Sequence, residues 1–272
     1  AALGQRTKKI RLGPAVSVLP LRHPLLIAEE YALADNLCGG RLNFAIGSGF
    51  SPVEYKAFGM SMEEAREKYW EAFDLILKSW TQDTFSHHGK HYQIENGSLY
   101  MKPLQKPLPP TWIAASSDET LIRAGELGFP VMGIPFVRSG SLQDVKQKND
   151  LFKESYFRAG HKQEPDIMIA LHVYLHQNAD EADHSARPCF DRVVDYLKKY
   201  RRPGARVPDF DTIKKDQLAL FTNPENACAI FREYQKAGVT HVICMVNFGG
   251  VTMPDVRRTL ELMSQEVLPS FK

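Results

Sequence analysis

The sequence lacks any apolar run approaching the roughly 18 residues that a membrane-spanning helix needs. It also lacks a signal-peptide pattern, so we expect a cytoplasmic protein. Cysteine is scarce: the four cysteines lie far apart and no two of them form a CxxC pair. This usage indicates free thiols in a reducing compartment. The four are Cys38, Cys189, Cys228 and Cys244.

An excess of charge of one sign is missing as well. The formal net charge is only +2, and lysine and arginine are dispersed along the chain without a basic block. A nucleic-acid partner is therefore not expected. There is no Walker loop, GxGxxG fingerprint or GxSxG elbow, which removes the simplest sequence arguments for a nucleotide-binding or serine-hydrolase site.

The sequence contains short apolar segments that alternate with helical patterns. Six short apolar strands are predicted at residues 10–18, 42–46, 111–115, 131–136, 166–176 and 241–248. Helical patterns separate them, among them residues 24–37, 61–80 and 179–200. This order predicts a parallel sheet. Six units suit an open doubly wound sheet, whereas a closed (β/α)8 barrel needs eight. The opening "AALGQRTKKIRLG" has no Met and resembles a helix end before a strand. We therefore favour a barrel and expect its first two βα units to be absent.

Two segments interrupt the alternation. Residues 84–101 alternate polar and apolar side chains and contain Asn96-Gly97, which predicts a β-hairpin or a pair of short strands. Residues 201–220 are irregular and predict a long loop, either an active-site lid or a solvated segment. Its basic set, Arg201, Arg202 and Arg206, could attract an anion, although a solvated loop is favoured. We expect one domain over residues 1–272 with these two insertions.

The stretch Trp112–Thr120, "WIAASSDET", predicts a buried strand that ends where a helix begins. Amide groups at a helix start favour an anion, and hydroxyl groups can donate to phosphate oxygens. The same letters also fit a capping box with Ser116 as N-cap and Glu119 three residues later. Taken locally, the pattern favours the cap, and the two interpretations are compatible.

Three other places invite a functional interpretation. The Gly47-Ser48-Gly49 turn would let backbone approach a ligand, or it is simply a tight turn. His23 precedes Pro24 at a strand end, where a site residue and a helix-capping residue are equally compatible with the sequence. His87, His88 and His91 suggest a metal, but HHxxH on a hairpin lacks a helix to align ligands, so no metal site is expected.

Two long stretches, "RLGPAVSVLPLRHPLLIAEEYALADNLCGGRLNFAIGSGF" and "EYKAFGMSMEEAREKYWEAFDLILKSWT", resemble the bacterial luciferase-like, flavin-dependent monooxygenases. The first is similar to that family's third strand, third helix and fourth strand, and the second to the helix that follows. "KPLQKPLPPTWIAASSDET" resembles the approach to its phosphate site. "NPENACAIFREYQKAGVTHVICMVNFGG" and "EVLPSF" resemble its carboxyl-terminal signature.

The resemblance implies a (β/α)8 barrel, often a homodimer, with reduced FMN or a deazaflavin across the carboxyl ends of the strands. It places the flavin phosphate at the helix start and the flavin ring beside a cis peptide bond at Ala15-Val16. Met132 and Ile134 are expected in the pocket floor. The cofactor-binding residues implied are Ala15, Val16, Gly47, Ser48, Ser116, Ser117 and Thr120.

Two departures from the family matter. Luciferase itself has a cysteine and a phosphate-binding arginine at the positions of Gly47 and Ser48, so light emission does not follow. The chain also begins at the family's third strand, and in relatives the preceding region supplies a catalytic histidine. The main base is therefore expected outside this chain, with His23 as the remaining candidate within it.

Three hypotheses follow from the sequence. The first is a two-component monooxygenase that uses reduced FMN from a separate reductase and O2 on a small organic substrate. The second is a deazaflavin-dependent dehydrogenase that transfers hydride. The third is a non-catalytic flavin-binding barrel. The Ser-Ser-x-x-Thr set and the Gly47-Ser48-Gly49 turn favour FMN.

Overall fold

The computed structural model describes residues 1–200 and 207–271. The chain divides into two compact units, Ala1–Ala114 and Ala115–Lys272. Each unit combines parallel strands with helices. The expectation that the whole chain forms one domain stays a prediction.

The first unit begins with a short helix and contains a parallel sheet with a separate hairpin. Its elements are α1 (Ala2–Arg6), β1 (Ser17–Val18), α2 (Pro24–Leu37), β2 (Phe44–Gly47), α3 (Pro52–Ala57), α4 (Met62–Thr81), β3 (Phe85–His88), β4 (Gln93–Gly97) and β5 (Thr111–Ala114). β2 pairs in parallel with β1 on one side and β5 on the other.

Helix α4 illustrates how sequence pattern becomes packing in this unit. Ser61 caps its start by accepting a hydrogen bond from the Glu64 amide. Its buried stripe includes Tyr69, Phe73, Ile76 and Trp80 at helical spacing, as the sequence predicts. The Trp80 indole donates to the Ala28 carbonyl of α2 over 3.0 Å, which satisfies its one polar atom. Burial of each large apolar side chain contributes about 1.5–3 kcal/mol.

β3 and β4 form an antiparallel hairpin within residues 84–101. The connection between them is residues 89–92. Asn96 and Gly97 lie in β4, and Gly97 pairs with Phe85. The pair that suggested a turn is therefore inside a strand, with Asn96 in the left-handed region at φ 49°.

The second unit is built around one long central strand. Its elements are α5 (Asp118–Glu126), β6 (Val131–Gly133), α6 (Pro135–Arg138), α7 (Leu142–Arg158), β7 (Ile167–Leu175), α8 (Ala179–Tyr200), α9 (Phe210–Lys215), β8 (Leu220–Thr222), α10 (Pro224–Lys236), β9 (His241–Met245) and α11 (Met253–Leu262). β7 pairs in parallel with β6, with β9 over residues 168–172 and with β8 over residues 173–175.

The two faces of β7 bury different side chains. Ile169, Leu171 and Val173 belong to an apolar cluster that also contains residues of α10. Tyr174 belongs to a second cluster, rich in phenylalanine. Because successive side chains of a strand point to opposite faces, His172 shares the face of Tyr174.

The segment predicted as one irregular insertion has more structure than the sequence suggested. Residues 201–206, which include the basic set Arg201, Arg202 and Arg206, lie outside the described residues. After them, Asp209 caps α9 by accepting from the Thr212 amide over 2.8 Å. β8 begins at Leu220 and adds a seventh parallel strand to the six predicted, among the residues that the structure describes. A strand of three residues was too short to recognise.

Proline explains two predicted strands that are shorter in the structure. The predicted strand 10–18 is reduced to β1, and only an isolated parallel bridge joins Leu12 to Leu42. Pro14, between the bridge and β1, has no amide hydrogen for a ladder. The strand predicted at 131–136 stops at Gly133, because Pro135 begins α6.

Over residues 1–200 and 207–271, no helix combines the length and apolar character that crossing a bilayer requires.

Candidate functional site

The start of α5 is capped, but by a different residue from the one predicted. Ser117, not Ser116, is the N-cap, and its hydroxyl accepts from the Thr120 amide at 3.3 Å. Its Oγ also lies 2.9 Å from the Thr120 hydroxyl. The predicted capping box of Ser116 and Glu119 is therefore wrong, since the hydroxyl three residues after Ser117 takes the place of a carboxylate.

At this helix start, hydroxyl groups are exposed to solvent, and an acidic side chain beside them is paired with a lysine. Ser116 and Ser117 are exposed and Thr120 is half-buried. The Asp118 carboxylate lies 2.5 Å from the Lys148 ammonium, so one of the two acids in the first turn is paired. First-turn amides have no acceptor within their helix, and the helix dipole favours an anion in front of them. The three hydroxyl-bearing residues fit a phosphate group.

In the first unit, the structure brings Val16 and Gly47 together. The Ala15-Val16 peptide bond is cis, as the resemblance implied. A Cβ on Gly47 would lie 2.6 Å from Val16 Cγ2, so a side chain at this strand end would require Val16 to shift. The Ser48 carbonyl accepts from the Tyr55 hydroxyl over 2.7 Å. Neighbouring protein atoms therefore account for the tight Gly47-Ser48-Gly49 turn.

His23 acts as a helix cap. Its Nδ1 accepts from the Leu25 amide at 3.3 Å at the start of α2, and its ring contacts Tyr92 edge-on, 5.5 Å between centroids. Of the two alternatives that the sequence left open, the structure displays the capping one. A catalytic role for His23 stays a prediction.

The hairpin histidines face carboxylates of α4. His87 Nε2 lies 3.2 Å from Glu71 Oε1, and His91 Nε2 lies 3.2 Å from Glu67 Oε2. Burial raises the pKa of Glu71, but hydrogen bonds from the Tyr92 amide, His87 and the His91 amide outweigh it and hold that pKa below its ordinary value. In the part of the chain that the structure describes, no three His, Cys, Asp or Glu residues are grouped to hold a metal ion.

Met132 and Ile134, expected in a pocket floor, differ in burial. Met132 is buried in β6, where its carbonyl accepts from the Ala115 amide over 2.9 Å. Ile134 is half-buried, precedes α6 without a side-chain capping bond and packs against the phenylalanine-rich cluster. Their role in a pocket stays a prediction.

Sequence reasoning missed His172 of β7. Its side chain is 6% exposed, and the rings of Phe136, Phe190 and Phe248 lie 5.5, 5.3 and 5.0 Å from it between centroids. Nδ1 is buried without a hydrogen-bond partner. Burial lowers the pKa of His172 to about 4, so the imidazole is neutral at physiological pH. The sequence feature that could have indicated it is the single histidine within the otherwise apolar strand "IMIALHVYL".

Comparison with known proteins identifies the family. The sequence profile described as luciferase-like monooxygenase matches residues 1–241. The chain belongs to the luciferase-like monooxygenase family. It is therefore an enzyme of a family that contains flavin-dependent and F420-dependent oxidoreductases.

Two relatives illustrate this range of cofactors. The oxygenase component of flavin-dependent trigonelline monooxygenase from Acinetobacter baylyi is 29% identical over 188 residues, 68% of this chain and 51% of the relative. The chain thus spans about half the length of that protein. F420-dependent glucose-6-phosphate dehydrogenase from Amycolatopsis mediterranei is 25% identical over 286 residues, 100% of this chain and 82% of the relative.

A solved structure supports the fold assignment. Monooxygenase RslO1 from Streptomyces bottropensis superposes with a TM-score of 0.90 at 25% identity, covering 100% of this chain and 81% of that chain. The predicted α/β class and luciferase-like fold are confirmed.

Proposed function

We propose that this luciferase-like enzyme is a monooxygenase that uses reduced FMN and O2 on a small organic substrate. The observation that carries the proposal is the Ser117–Thr120 hydroxyl pair, 2.9 Å apart at the start of α5. A flavin-dependent monooxygenase among the relatives supports the same assignment. Reduced flavin supplies the electrons for O2 activation, one oxygen atom entering the substrate and the other leaving as water.

The residues at the start of α5 bind the FMN phosphate in this proposal. Ser116 and one member of the Ser117–Thr120 pair donate hydroxyl hydrogen bonds to phosphate oxygens, because the hydrogen bond within the pair uses the other hydroxyl hydrogen. The helix dipole adds a favourable field. Lys148 offsets the charge of Asp118 and so limits repulsion of the phosphate. Glu119 is exposed, where water screens its charge.

Residues of the first unit enter the proposal separately. We assign Ala15, Val16, Gly47 and Ser48 to contacts with the flavin ring. Gly47 leaves its strand end without a side chain, and a Cβ there would lie 2.6 Å from Val16 Cγ2. Each of these residues is tested on its own, by flavin affinity of the single variant.

Partners follow from the same chemistry. The relative from Acinetobacter is named as an oxygenase component, which supports a separate reductase that delivers reduced flavin. A homodimer is part of the proposal because the resembled family often forms one. The catalytic base stays unassigned, with His23 as a candidate inside the chain.

A deazaflavin-dependent oxidoreductase is the alternative, because the F420-dependent dehydrogenase is 25% identical over the whole chain. An anaerobic titration of the cofactor-free protein with reduced FMN, and in parallel with reduced F420, separates the two. We expect saturable binding of FMN at least tenfold tighter than binding of F420. Tighter binding of F420 would move the assignment to hydride transfer, and binding of neither would contradict both.

A further inference from the structure

His172 lies where three parallel strands of the second unit end. It is three residues before the end of β7 at Leu175, whereas Phe136 follows β6 and Phe248 follows β9. In parallel α/β sheets, ligands bind at the carboxyl ends of the strands. The aromatic group around His172 is therefore at a position where this fold class places ligands.

The three rings that contact His172 are all apolar. Phe136, Phe190 and Phe248 are 4%, 0% and 7% exposed and approach the imidazole at tilted or edge-on angles. Burial is the sole cause of the lowered pKa, with no charged neighbour contributing. The imidazole is thus a neutral hydrogen-bonding group surrounded by aromatic side chains.

Tyr174, the next residue on the same face of β7, is a useful contrast. It is also buried, but its hydroxyl accepts from the Arg258 guanidinium over 2.8 Å. His172 Nδ1 has no such partner. A buried polar atom left without a hydrogen-bond partner destabilises a protein. Its presence in a well-packed cluster therefore requires an explanation.

We propose that His172 Nδ1 is the polar contact for the substrate, which is an uncharged molecule with an apolar ring body and one hydrogen-bonding group. This inference rests on the proposed function, since it concerns the substrate of the same enzyme. Because Nδ1 is buried in the ligand-free protein, binding requires the surrounding phenylalanine rings to move apart. The rings then pack on the apolar body, and the imidazole pairs with the single hydroxyl or carbonyl group. A charged group is rejected because no opposite charge contacts the ring to offset its desolvation.

Three probes with one ring body test the inference on the flavin-free protein, so that failure of flavin binding does not affect the result. They are naphthalene, 2-naphthol and 2-naphthoate, with affinity measured by calorimetry. The wild type is expected to bind 2-naphthol at least tenfold more tightly than naphthalene, and to bind 2-naphthoate more weakly than either. Tighter binding of 2-naphthoate, or no binding of any probe, would overturn the inference.

Two variants separate recognition from packing. His172→Leu keeps a similar volume without a polar atom, and we expect the tenfold preference for 2-naphthol to fall to twofold or less. His172→Asn keeps a polar atom close to the position of Nδ1 and should restore part of the preference. An unchanged preference in His172→Leu would refute the role assigned to Nδ1. If His172→Leu fails to fold, loss of the preference in His172→Asn refutes it as well.

The stability of the ligand-free protein gives an independent readout. Removal of an unpaired buried polar atom should leave the melting temperature of His172→Leu unchanged or raised. Phe210→Leu is the control, because Phe210 stacks on Phe221 at 4.9 Å in the same cluster without a ring contact to His172. It should lower the melting temperature while keeping the probe preference. A melting temperature lowered in His172→Leu as much as in Phe210→Leu would indicate a structural histidine and contradict the inference.

Discussion

His87 of the hairpin and His172 of β7 are both buried, yet their surroundings differ in kind. His87 is 7% exposed and lies 3.2 Å from the Glu71 carboxylate and 3.7 Å from that of Asp74. His172 is 6% exposed and is surrounded by phenylalanine rings, with Nδ1 unpaired. Burial alone therefore does not distinguish a structural histidine from a functional one.

The two histidines differ in the polar protein groups that their rings contact. Glu71 accepts hydrogen bonds from His87 and from the amides of His91 and Tyr92, so this histidine belongs to a network that joins the hairpin to α4. His87 Nδ1 makes no hydrogen bond either, but the Asp74 carboxylate lies 3.7 Å from it. No protein contact accounts for Nδ1 of His172, and this is why we assign it to a ligand.

The largest effect is expected when the Glu71 carboxylate, the shared acceptor of the hairpin network, is removed. Glu71→Ala would leave the His91 and Tyr92 amides and the His87 ring without their shared acceptor. Since each buried donor left unsatisfied costs about 1–3 kcal/mol, we expect the free energy of unfolding to fall by about 3 kcal/mol. Chemical denaturation measures it.

Glu67 supplies the matched control on the same helix. It pairs with Lys90 and His91 at the exposed end of the network, and Glu67→Ala should lower the stability much less than Glu71→Ala. Equal losses for the two variants would mean that the hairpin does not depend on a buried carboxylate.

The next effect concerns pH and His172. The folded protein holds the pKa of His172 at about 4, below the ordinary 6.5, so at intermediate pH the unfolded chain binds a proton that the folded chain does not. Protonation therefore favours unfolding. Between pH 7 and pH 4 the wild type should lose about 3 kcal/mol of unfolding free energy relative to His172→Leu.

This loss is measured as the difference between the two proteins in denaturation curves across the pH range. Other groups titrate equally in both, so the difference isolates His172. Parallel pH profiles for the two proteins would mean that the imidazole is not desolvated as the structure has it.

The smallest effect tests a polar group that the protein itself satisfies. Ser117→Ala removes the hydroxyl that caps α5 and should lower the free energy of unfolding by about 1 kcal/mol. Ser116→Ala, one residue earlier, should leave it unchanged. A loss for Ser116→Ala alone would restore the capping box that the sequence suggested.

Helices with strong periodicity were predictable almost to the residue. α2 and α8 have the predicted bounds, because proline or acidic residues begin them and a long amphipathic pattern sustains them. β8 and α9 were not predictable, since a strand of three residues and a helix of six residues carry too little periodicity. Pro135 shortened a strand that hydrophobicity alone extended.

The candidate site was predictable in part. "ASSDET" indicated a helix start with hydroxyl groups, but which serine caps it depends on backbone geometry at Ser117. The cis bond at Ala15-Val16 came from family resemblance, since nothing in the local sequence requires it. His172 was missed because one polar residue in an apolar strand does not reveal its neighbours, which come from three separate elements, α6, α8 and the segment after β9.

We infer that the start of α5 holds the flavin phosphate. Its most direct test is anaerobic titration of the wild type and of the Ser117→Ala, Thr120→Val double variant with reduced FMN and reduced riboflavin, which lacks the phosphate. The wild type should prefer FMN at least tenfold, and the double variant should lose that preference while it keeps its affinity for riboflavin. Equal affinity of the wild type for the two flavins, or an unchanged preference in the variant, would contradict the claim.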